Sequence, residues 1–270
     1  MAPTIERKTC AAADGVRIVC SASGSGEPGL VFIHGGLANR GFWDHQLETF
    51  AAHHRVIAPD LPGHGESGTD RQTWGMREFG ADIRRVVEAE HLGTIIIVGN
   101  SLGGPVAIET ALLLGEQVLG VVGVDTFQSL DYMMSSEDAR HRAESFRDDF
   151  AGNLRQMVKA LFQPDADPVL MADAEHRMAG TSVNAAYEMF ASLGGYAPAA
   201  SARRLTMPLR AINGDLYPTD VAAVRKVKPD FEVIVMPHMG HYPMLERPDE
   251  FDRHVAAVIA ELTGPQRRQG

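Results

Sequence analysis

The sequence has few cysteines and no long apolar run, and both absences exclude classes of protein. Its 270 residues include two cysteines, Cys10 and Cys20, with no CxxC pair and no His/Cys spacing typical of zinc sites. We therefore expect no metal site and a reduced cysteine pair rather than a disulfide framework. No apolar stretch approaches the ~20 residues that cross a bilayer, so membrane insertion is not expected.

Basic residues are scarce relative to acidic ones. Lys and Arg number 25 against 35 Asp and Glu, which gives a formal net charge of −10. An acidic surface repels phosphate backbones and anionic lipid, so nucleic acid and charged membranes are poor candidate partners. The first residues contain no apolar stretch of signal-peptide type, and we expect a cytoplasmic protein. Nothing in the sequence indicates an oligomeric state.

Strand and helix patterns alternate along the first half of the chain. Short apolar runs at residues 30–33, 94–98 and 118–124 are typical of strands that are buried on both faces of a parallel sheet. Segments with helical spacing lie between and after them, at residues 42–52, 76–90 and 102–114. Strands that alternate with helices through short links predict an α/β fold.

This alternation stops after Asp125 and resumes near Leu209. Between them the chain looks helical and rich in methionine. We predict an α/β core of residues 1–126 and 201–270 with an inserted helical cap at 127–200. The methionines of the cap are candidates for lining an adaptable apolar pocket, and plain core packing is the alternative; they are Met133, Met134, Met157, Met171, Met178 and Met189.

A possible nucleophile lies in the segment GNSLGG, residues 99–104. A G-x-S-x-G that follows a buried strand and opens a helix is typical of a nucleophile elbow, in which a tight turn projects the serine hydroxyl from the sheet. The sequence therefore predicts Ser101 as a nucleophile, with the amide of Leu102 as one oxyanion donor. A glycine-rich connection with a capping serine is the alternative.

A serine hydroxyl needs a base, and in this arrangement the histidine comes last in the chain. His241 lies just after the last predicted strand, where a parallel sheet delivers its final loop to the active edge. His238 is the local competitor. We favour His241 because Gly240 permits a tight turn before it.

Four motifs together resemble the α/β-hydrolase superfamily, and most of all its capped esterases, lipase-like and lactonase-like members. They are HGG at 34–36, DLPGHGESG at 60–68, GNSLGG at 99–104 and GHYPMLERPDEF at 240–251. The resemblance implies an α/β-hydrolase fold, a second oxyanion donor at the backbone of Gly36, and a loop-bracing role for His64. The set is specific to the superfamily and unspecific for substrate.

The resemblance implies a triad in which an acidic residue joins the serine and the histidine. The position of this acid departs from the usual pattern of the family. The usual aspartate follows the next-to-last strand, three residues after a glycine, and Tyr217 stands there. Some members place the acid after the preceding strand, where this chain has Asp125. We favour Asp125, because holding an imidazolium compensates the cost of burying its charge. Asp215 and Asp220 are the alternatives.

The expected chemistry is hydrolysis of a carboxylic ester, a thioester or a lactone of a small, largely apolar substrate, without a cofactor. Carbon–carbon bond hydrolysis and cofactor-free perhydrolysis would use the same triad, and a non-catalytic ligand-binding receptor is the alternative of another class. Ser101 at the nucleophile position argues against haloalkane dehalogenases and epoxide hydrolases. Candidate pocket residues are Leu37, Trp43, Asn100, Phe127 and Tyr217.

Overall fold

A mostly parallel sheet runs through the centre of the protein. The computed structural model describes residues 4–131 and 133–264, so the parts of the predicted core and cap at residues 1–3, 132 and 265–270 lie outside the described residues. The strands are β1 (Glu6–Ala11), β2 (Arg17–Ser23), β3 (Gly29–Ile33), β4 (Val56–Pro59), β5 (Ile95–Asn100), β6 (Val118–Val124), β7 (Leu209–Gly214) and β8 (Glu232–Met236).

The strand order is β1-β2-β4-β3-β5-β6-β7-β8. Strand β2 pairs antiparallel with both β1 and β4, and every later pairing is parallel. Strands β3 and β5 are buried along their whole length, as the continuous apolar runs predict. The predicted α/β architecture is confirmed.

The hairpin at the start of the chain separates the two cysteines by register. Cys10 lies opposite Ile18, and Cys20 lies opposite Lys8. Gly15 in the turn has φ 86°, a left-handed value that glycine adopts without strain. Both thiols are free, and burial raises the pKa of each of them.

Helices cover both faces of the sheet and fill the segment between β6 and β7. They are α1 (Asp44–Phe50), α2 (Met76–Ala89), α3 (Gly103–Leu114), α4 (Ser136–Asp148), α5 (Phe150–Leu161), α6 (Pro168–Met178), α7 (Val183–Ala191), α8 (Pro198–Ala202), α9 (Val221–Val227), α10 (Pro243–Glu246) and α11 (Pro248–Thr263). The helix predicted at 42–52 is shorter than expected, because a 3₁₀ turn occupies residues 40–43 before α1 begins.

The helices between β6 and β7 begin at side-chain caps that the sequence supplies. Ser135, Asp149 and Ser182 each accept a hydrogen bond from a backbone amide in the first turn of α4, α5 and α7. Helix α4 packs along α7, with the Phe146 and Phe190 rings 4.5 Å apart between centroids. In the described residues, no helix combines the length and apolar character that a bilayer crossing requires.

Trp43 lies in the core rather than at the wall of a pocket. Its ring centroid is 5.0 Å from that of Phe32 and 6.2 Å from that of Phe251, and its side chain is fully buried. The tryptophan therefore joins the 3₁₀ turn and α11 to strand β3. Trp43, which the sequence analysis gave as a candidate pocket residue, is thus surrounded by core aromatic rings.

We expect Trp43→Ala to lower the free energy of unfolding by about 3–5 kcal/mol, the usual cost of emptying a large aromatic site in a packed core. Trp43→Phe should lose less, because a ring stays between Phe32 and Phe251. Urea denaturation measures both variants. Val169→Ala is the control at an exposed apolar side chain and should stay within about 0.5 kcal/mol of the parent. Equal losses for Trp43→Ala and Val169→Ala would contradict this assignment.

Candidate active site

Ser101 lies at the turn between strand β5 and helix α3 with a left-handed backbone, φ 52°. A Cβ on Gly99 would overlap the backbone of Gly103, and a Cβ on Gly103 would collide with the carbonyl oxygen of Ile33. Glycine is therefore required on both sides of the serine. A non-glycine residue held at positive φ at such a turn is strained, and strain of this kind concentrates at functional sites.

His241 and Asp125 meet across the carboxyl edge of the sheet. Nδ1 of His241 is 2.5 Å from Oδ2 of Asp125. The aspartate follows β6 and is 1% exposed, whereas the histidine lies in the loop between β8 and α10. Because Nδ1 is engaged by the carboxylate, Nε2 is the ring nitrogen left to accept a proton.

Strand β7 holds the backbone around Asp125. The amide of Gly214 donates to Oδ1 of Asp125 over 3.0 Å. The side chain of Asn213 both accepts from the Thr126 amide and donates to the Thr126 carbonyl. Asp125 itself has φ 43°. These bonds hold Asp125 in an unfavourable backbone conformation. The sequence analysis did not identify Asn213.

The alternative acids have other partners. Asp215 accepts hydrogen bonds from the amides of His238 and Met239, and these two donors lower the pKa of its carboxyl. Asp220 caps α9 by accepting from the Ala223 amide. Neither contacts His241.

The competing histidine also lies elsewhere. His238 is exposed on the surface, with Nε2 3.0 Å from Oδ2 of Asp165.

The side chain of Asn100 connects two backbone segments of the site. Its amide nitrogen donates to the carbonyl oxygens of Val124 and His241, over 3.0 Å in both cases. The side chain is fully buried and links the end of β6 to the histidine loop. Glu246 holds the same loop through the amides of Gly240 and Tyr242.

Ser101 and His241 both line a cavity of about 330 Å³. Its wall is mostly apolar and comes from the sheet edge and from helices α4, α5 and α7. The lining residues are Gly36, Ser101, Leu102, Pro105, Met134, Arg142, Met157, Leu161, Met189, Phe190, Leu193, His241 and Tyr242.

The methionines predicted to line a pocket divide into two groups. Met134, Met157 and Met189 line this cavity. Met178 is fully buried, Met133 is exposed, and Met171 lies in the wall of another groove. Both interpretations offered by the sequence, pocket lining and core packing, therefore apply to different members of the set.

Gly36 and Leu102, the predicted oxyanion donors, both line the cavity. Leu102 directly precedes α3, where the positive end of the helix dipole favours an anion. A Cβ on Gly36 would lie 3.0 Å from the sulfur of Met189, so a larger residue there would press on the cavity wall.

The other residues predicted for a pocket, Leu37, Phe127 and Tyr217, lie outside the lining of this cavity. Leu37 is fully buried, and its carbonyl accepts from the hydroxyl of Thr181. Phe127 covers Gly104 and Gly123, where a Cβ would meet its ring. Tyr217 is 43% exposed and donates its hydroxyl hydrogen to the Ala160 carbonyl.

Helices α5 and α6 are tied to the loops of the site. The amide of His241 donates to the carbonyl of Leu161 at the end of α5 over 2.8 Å. Arg177 in α6 donates to the carbonyl of Gly41, and Asn39 donates back to the carbonyl of Arg177. The helices above the cavity are thus bonded to the histidine loop on one side and to the loop after β3 on the other.

Two buried histidines brace the same region. The rings of His34 and His64 lie 5.0 Å apart, and Nε2 of His34 accepts from the Leu61 amide. Burial lowers the pKa of His34 to about 4 and that of His64 to about 3. Both rings are neutral near pH 7. Among the described residues, no cluster of His, Cys, Asp and Glu is arranged to hold a metal ion.

The sheet order, the serine turn and the helices above it define the class of this protein as an α/β hydrolase by fold. A sequence profile of the Alpha/beta hydrolase family matches residues 30–254. The chain belongs to that family.

Known proteins similar to this chain include a curated relative and several solved structures. The pimeloyl-[acyl-carrier protein] methyl ester esterase of Nitrosospira multiformis is 27% identical over 250 residues, which cover 83% of this chain and 91% of that protein. A thermophilic esterase of Thermogutta terrifontis, solved with malate bound, has a TM-score of 0.84 at 21% identity, covering 97% of this chain and 100% of that one. The enol-lactonase of Burkholderia xenovorans has a TM-score of 0.81 at 18% identity, covering 94% and 100%.

We expect the stability of the protein to fall as the pH is lowered from 7 to 5. In this range the unfolded chain protonates His34 and His64 while the folded chain does not, because their folded pKa values are about 4 and about 3. Each histidine should contribute about 2 kcal/mol to the difference in unfolding free energy between the two pH values.

Urea denaturation at both pH values tests this on His64→Gln, which should remove about one such contribution. His53→Gln, at an exposed histidine, is the matched control and should keep the parent pH dependence. A His64→Gln protein with unchanged pH dependence would show that burial of this ring is not responsible.

Proposed function

We propose that this protein is a serine hydrolase that cleaves a carboxylic ester, a thioester or a lactone of a small, largely apolar substrate. The observation that carries the proposal is that Ser101 and His241 line one apolar cavity while Asp125 engages the far side of the imidazole. The Nitrosospira relative, whose name describes cleavage of a methyl ester, supports an ester rather than another acyl compound.

In the first half of the proposed reaction, Oγ of Ser101 attacks the ester carbonyl carbon and Nε2 of His241 takes the hydroxyl proton. The carbonyl π electrons move to oxygen, where the amides of Leu102 and Gly36 bind the oxyanion. The carbonyl then reforms, the bond to the alcohol oxygen breaks, and the imidazolium protonates the leaving alkoxide. The product is an acyl-enzyme on Ser101.

In the second half, water takes the place of the alcohol. His241 removes a proton from the water, and the hydroxide adds to the acyl carbon. Collapse of this intermediate breaks the bond to Oγ of Ser101, which regains its proton from the imidazolium, and the acid leaves. Asp125 stays ionised throughout and stabilises the imidazolium in each half.

The apolar wall of the cavity supports an apolar acyl or alcohol group. Met134, Met157 and Met189 contribute flexible side chains that adapt to ligand shape. Burial raises the pKa of Tyr242 in the same wall, so its phenol stays neutral near the reacting groups. A volume of about 330 Å³ is at the lower end of ligand pockets and suits a small substrate.

Ser101→Ala should abolish hydrolysis of p-nitrophenyl butyrate and labelling by a fluorophosphonate probe, because both require an activated serine. Ser129→Ala, at an exposed serine outside the cavity, is the control and should keep both. Circular dichroism confirms that each variant is folded. A wild-type protein that is folded yet neither labels nor turns over esters would favour the non-catalytic receptor.

Asp125→Asn should lower kcat by about 10⁴, the effect of losing the carboxylate that orients and stabilises the imidazole. Asp215→Asn is the matched comparison. It weakens two backbone hydrogen bonds near residue 238 and should reduce kcat far less than Asp125→Asn. Steady-state kinetics on the same ester measures both, and a larger loss for Asp215→Asn would reassign the acid.

A further inference from the structure

Glu246 places a second carboxylate against the loop that carries His241. Its Oε2 accepts a hydrogen bond from the amide of Gly240 over 3.1 Å, and its Oε1 accepts one from the amide of Tyr242 over 3.2 Å. These two amides belong to the residues on either side of the histidine. The carboxylate therefore spans the His241 backbone, and it supplies the two separate oxygens that this arrangement needs.

Gly240 allows the carboxylate to approach the loop closely. A Cβ on Gly240 would lie 2.8 Å from Oε1 of Glu246 and 2.8 Å from the carbonyl oxygen of Leu161. A larger residue would thus push the carboxylate away from the loop. The glycine that the sequence analysis linked to a tight turn therefore has a second use, because it lets a charge lie next to the backbone of His241.

Neutral groups hold the remaining polar atoms of the His241 backbone. Its amide donates to the carbonyl of Leu161 over 2.8 Å, and its carbonyl accepts from the side chain of Asn100 over 3.0 Å. Uncharged amides and carbonyls are thus sufficient to fix this backbone. A carboxylate costs more to bury than a neutral acceptor, which indicates that the charge of Glu246 has a role beyond holding the loop.

The charge of Glu246 interacts with the pair formed by Asp125 and His241. Burial raises the pKa of the Glu246 carboxyl, the two amides lower it, the charge of Asp125 raises it, and the His241 ring lowers it. The interaction between two titrating groups is mutual, so an ionised Glu246 stabilises a protonated imidazole. Charged side chains on the elements around α10 are paired with other groups: Arg247 with Glu250, Arg40 with Asp60, His45 with Asp249 and Asp252, and His238 with Asp165.

We propose that Glu246 is a positioning residue for ester hydrolysis, and that its negative charge, added to that of Asp125, stabilises the imidazolium that forms on His241 in each half of the reaction. This inference rests on the proposed serine mechanism and adds a second anion to it. Asp125 contacts Nδ1 of the ring directly. Glu246 lies outside the cavity lining and binds the backbone on both sides of the histidine, so it acts through His241 rather than on the substrate.

The pH profile of a neutral variant tests the proposal with the purified full-length enzyme and p-nitrophenyl butyrate. Glu246→Gln should lower kcat at pH 7 by about tenfold, the effect of removing one partly screened charge near the imidazolium, and should change KM little. The acidic limb of kcat/KM against pH reports the ionisation of the essential base. Its midpoint should fall by about one pH unit or less, because an imidazole without the nearby anion takes up its proton less readily.

Three further variants separate the charge of Glu246 from its hydrogen bonds. Glu246→Asp keeps a charge on a shorter side chain and should keep the wild-type midpoint even where kcat falls. Glu246→Ala lacks both charge and acceptor, should show the lowered midpoint, and replaces Glu246→Gln if that variant does not fold. Glu250→Gln is the matched control, since this carboxylate pairs with Arg247, and it should keep the wild-type kcat and midpoint. Circular dichroism checks the folding of each variant.

The midpoint distinguishes a role of the charge from a purely structural one. If Glu246→Gln and Glu246→Ala lose activity but keep the wild-type midpoint, or if Glu246→Asp shifts the midpoint as far as they do, the proposed role of the charge is wrong while ester hydrolysis stands. A folded wild-type enzyme that cleaves no ester and is not labelled by a fluorophosphonate probe contradicts both proposals.

Discussion

The buried contact between the Asp125 carboxylate and the His241 ring is the constraint on which the site depends. A carboxylate that is 1% exposed must be compensated by hydrogen bonds or charge, and here it receives the imidazole Nδ1 and the Gly214 amide. These partners come from the loop after β8 and from the end of β7. The compensation of one charge therefore requires that β6, β7 and the final loop end at the same edge of the sheet.

The backbone around this contact is held in conformations that an isolated chain would avoid. Ser101, Asp125 and Phe127 all have positive φ without being glycine, and each such residue costs of order 1–3 kcal/mol. Parallel pairing of β5, β6 and β7 and the side chains of Asn100 and Asn213 supply the compensating hydrogen bonds. The rigid sheet thus supports strained turns at the ends of its strands, and one of these turns places Ser101 at the cavity.

The helices between β6 and β7 line the cavity and also hold the loops of the site. Helix α5 bonds to the His241 backbone, and α6 bonds to the loop after β3, so the cavity wall and the loops of the site are held as one unit. The wall supplies mostly apolar contacts together with the charge of Arg142. Ser101 and His241 come from the sheet edge, whereas most of the apolar wall comes from the helices.

The sequence by itself determined the sheet and the tight turn at Ser101, because both depend on local chemistry, and it favoured His241 over His238. Continuous apolar runs specify buried strands, and glycines at 99 and 103 are needed for the tight turn around Ser101. The sequence also favoured Asp125, on the argument that a buried carboxylate needs a partner. Only the tertiary structure decided which side chains form the cavity: Trp43, Leu37 and Phe127 entered the core, whereas Arg142 and Met189 lie in the wall. The cavity wall is assembled from several helices and from loops at the sheet edge, and the direction in which a side chain points depends on how these elements pack, which no local pattern encodes.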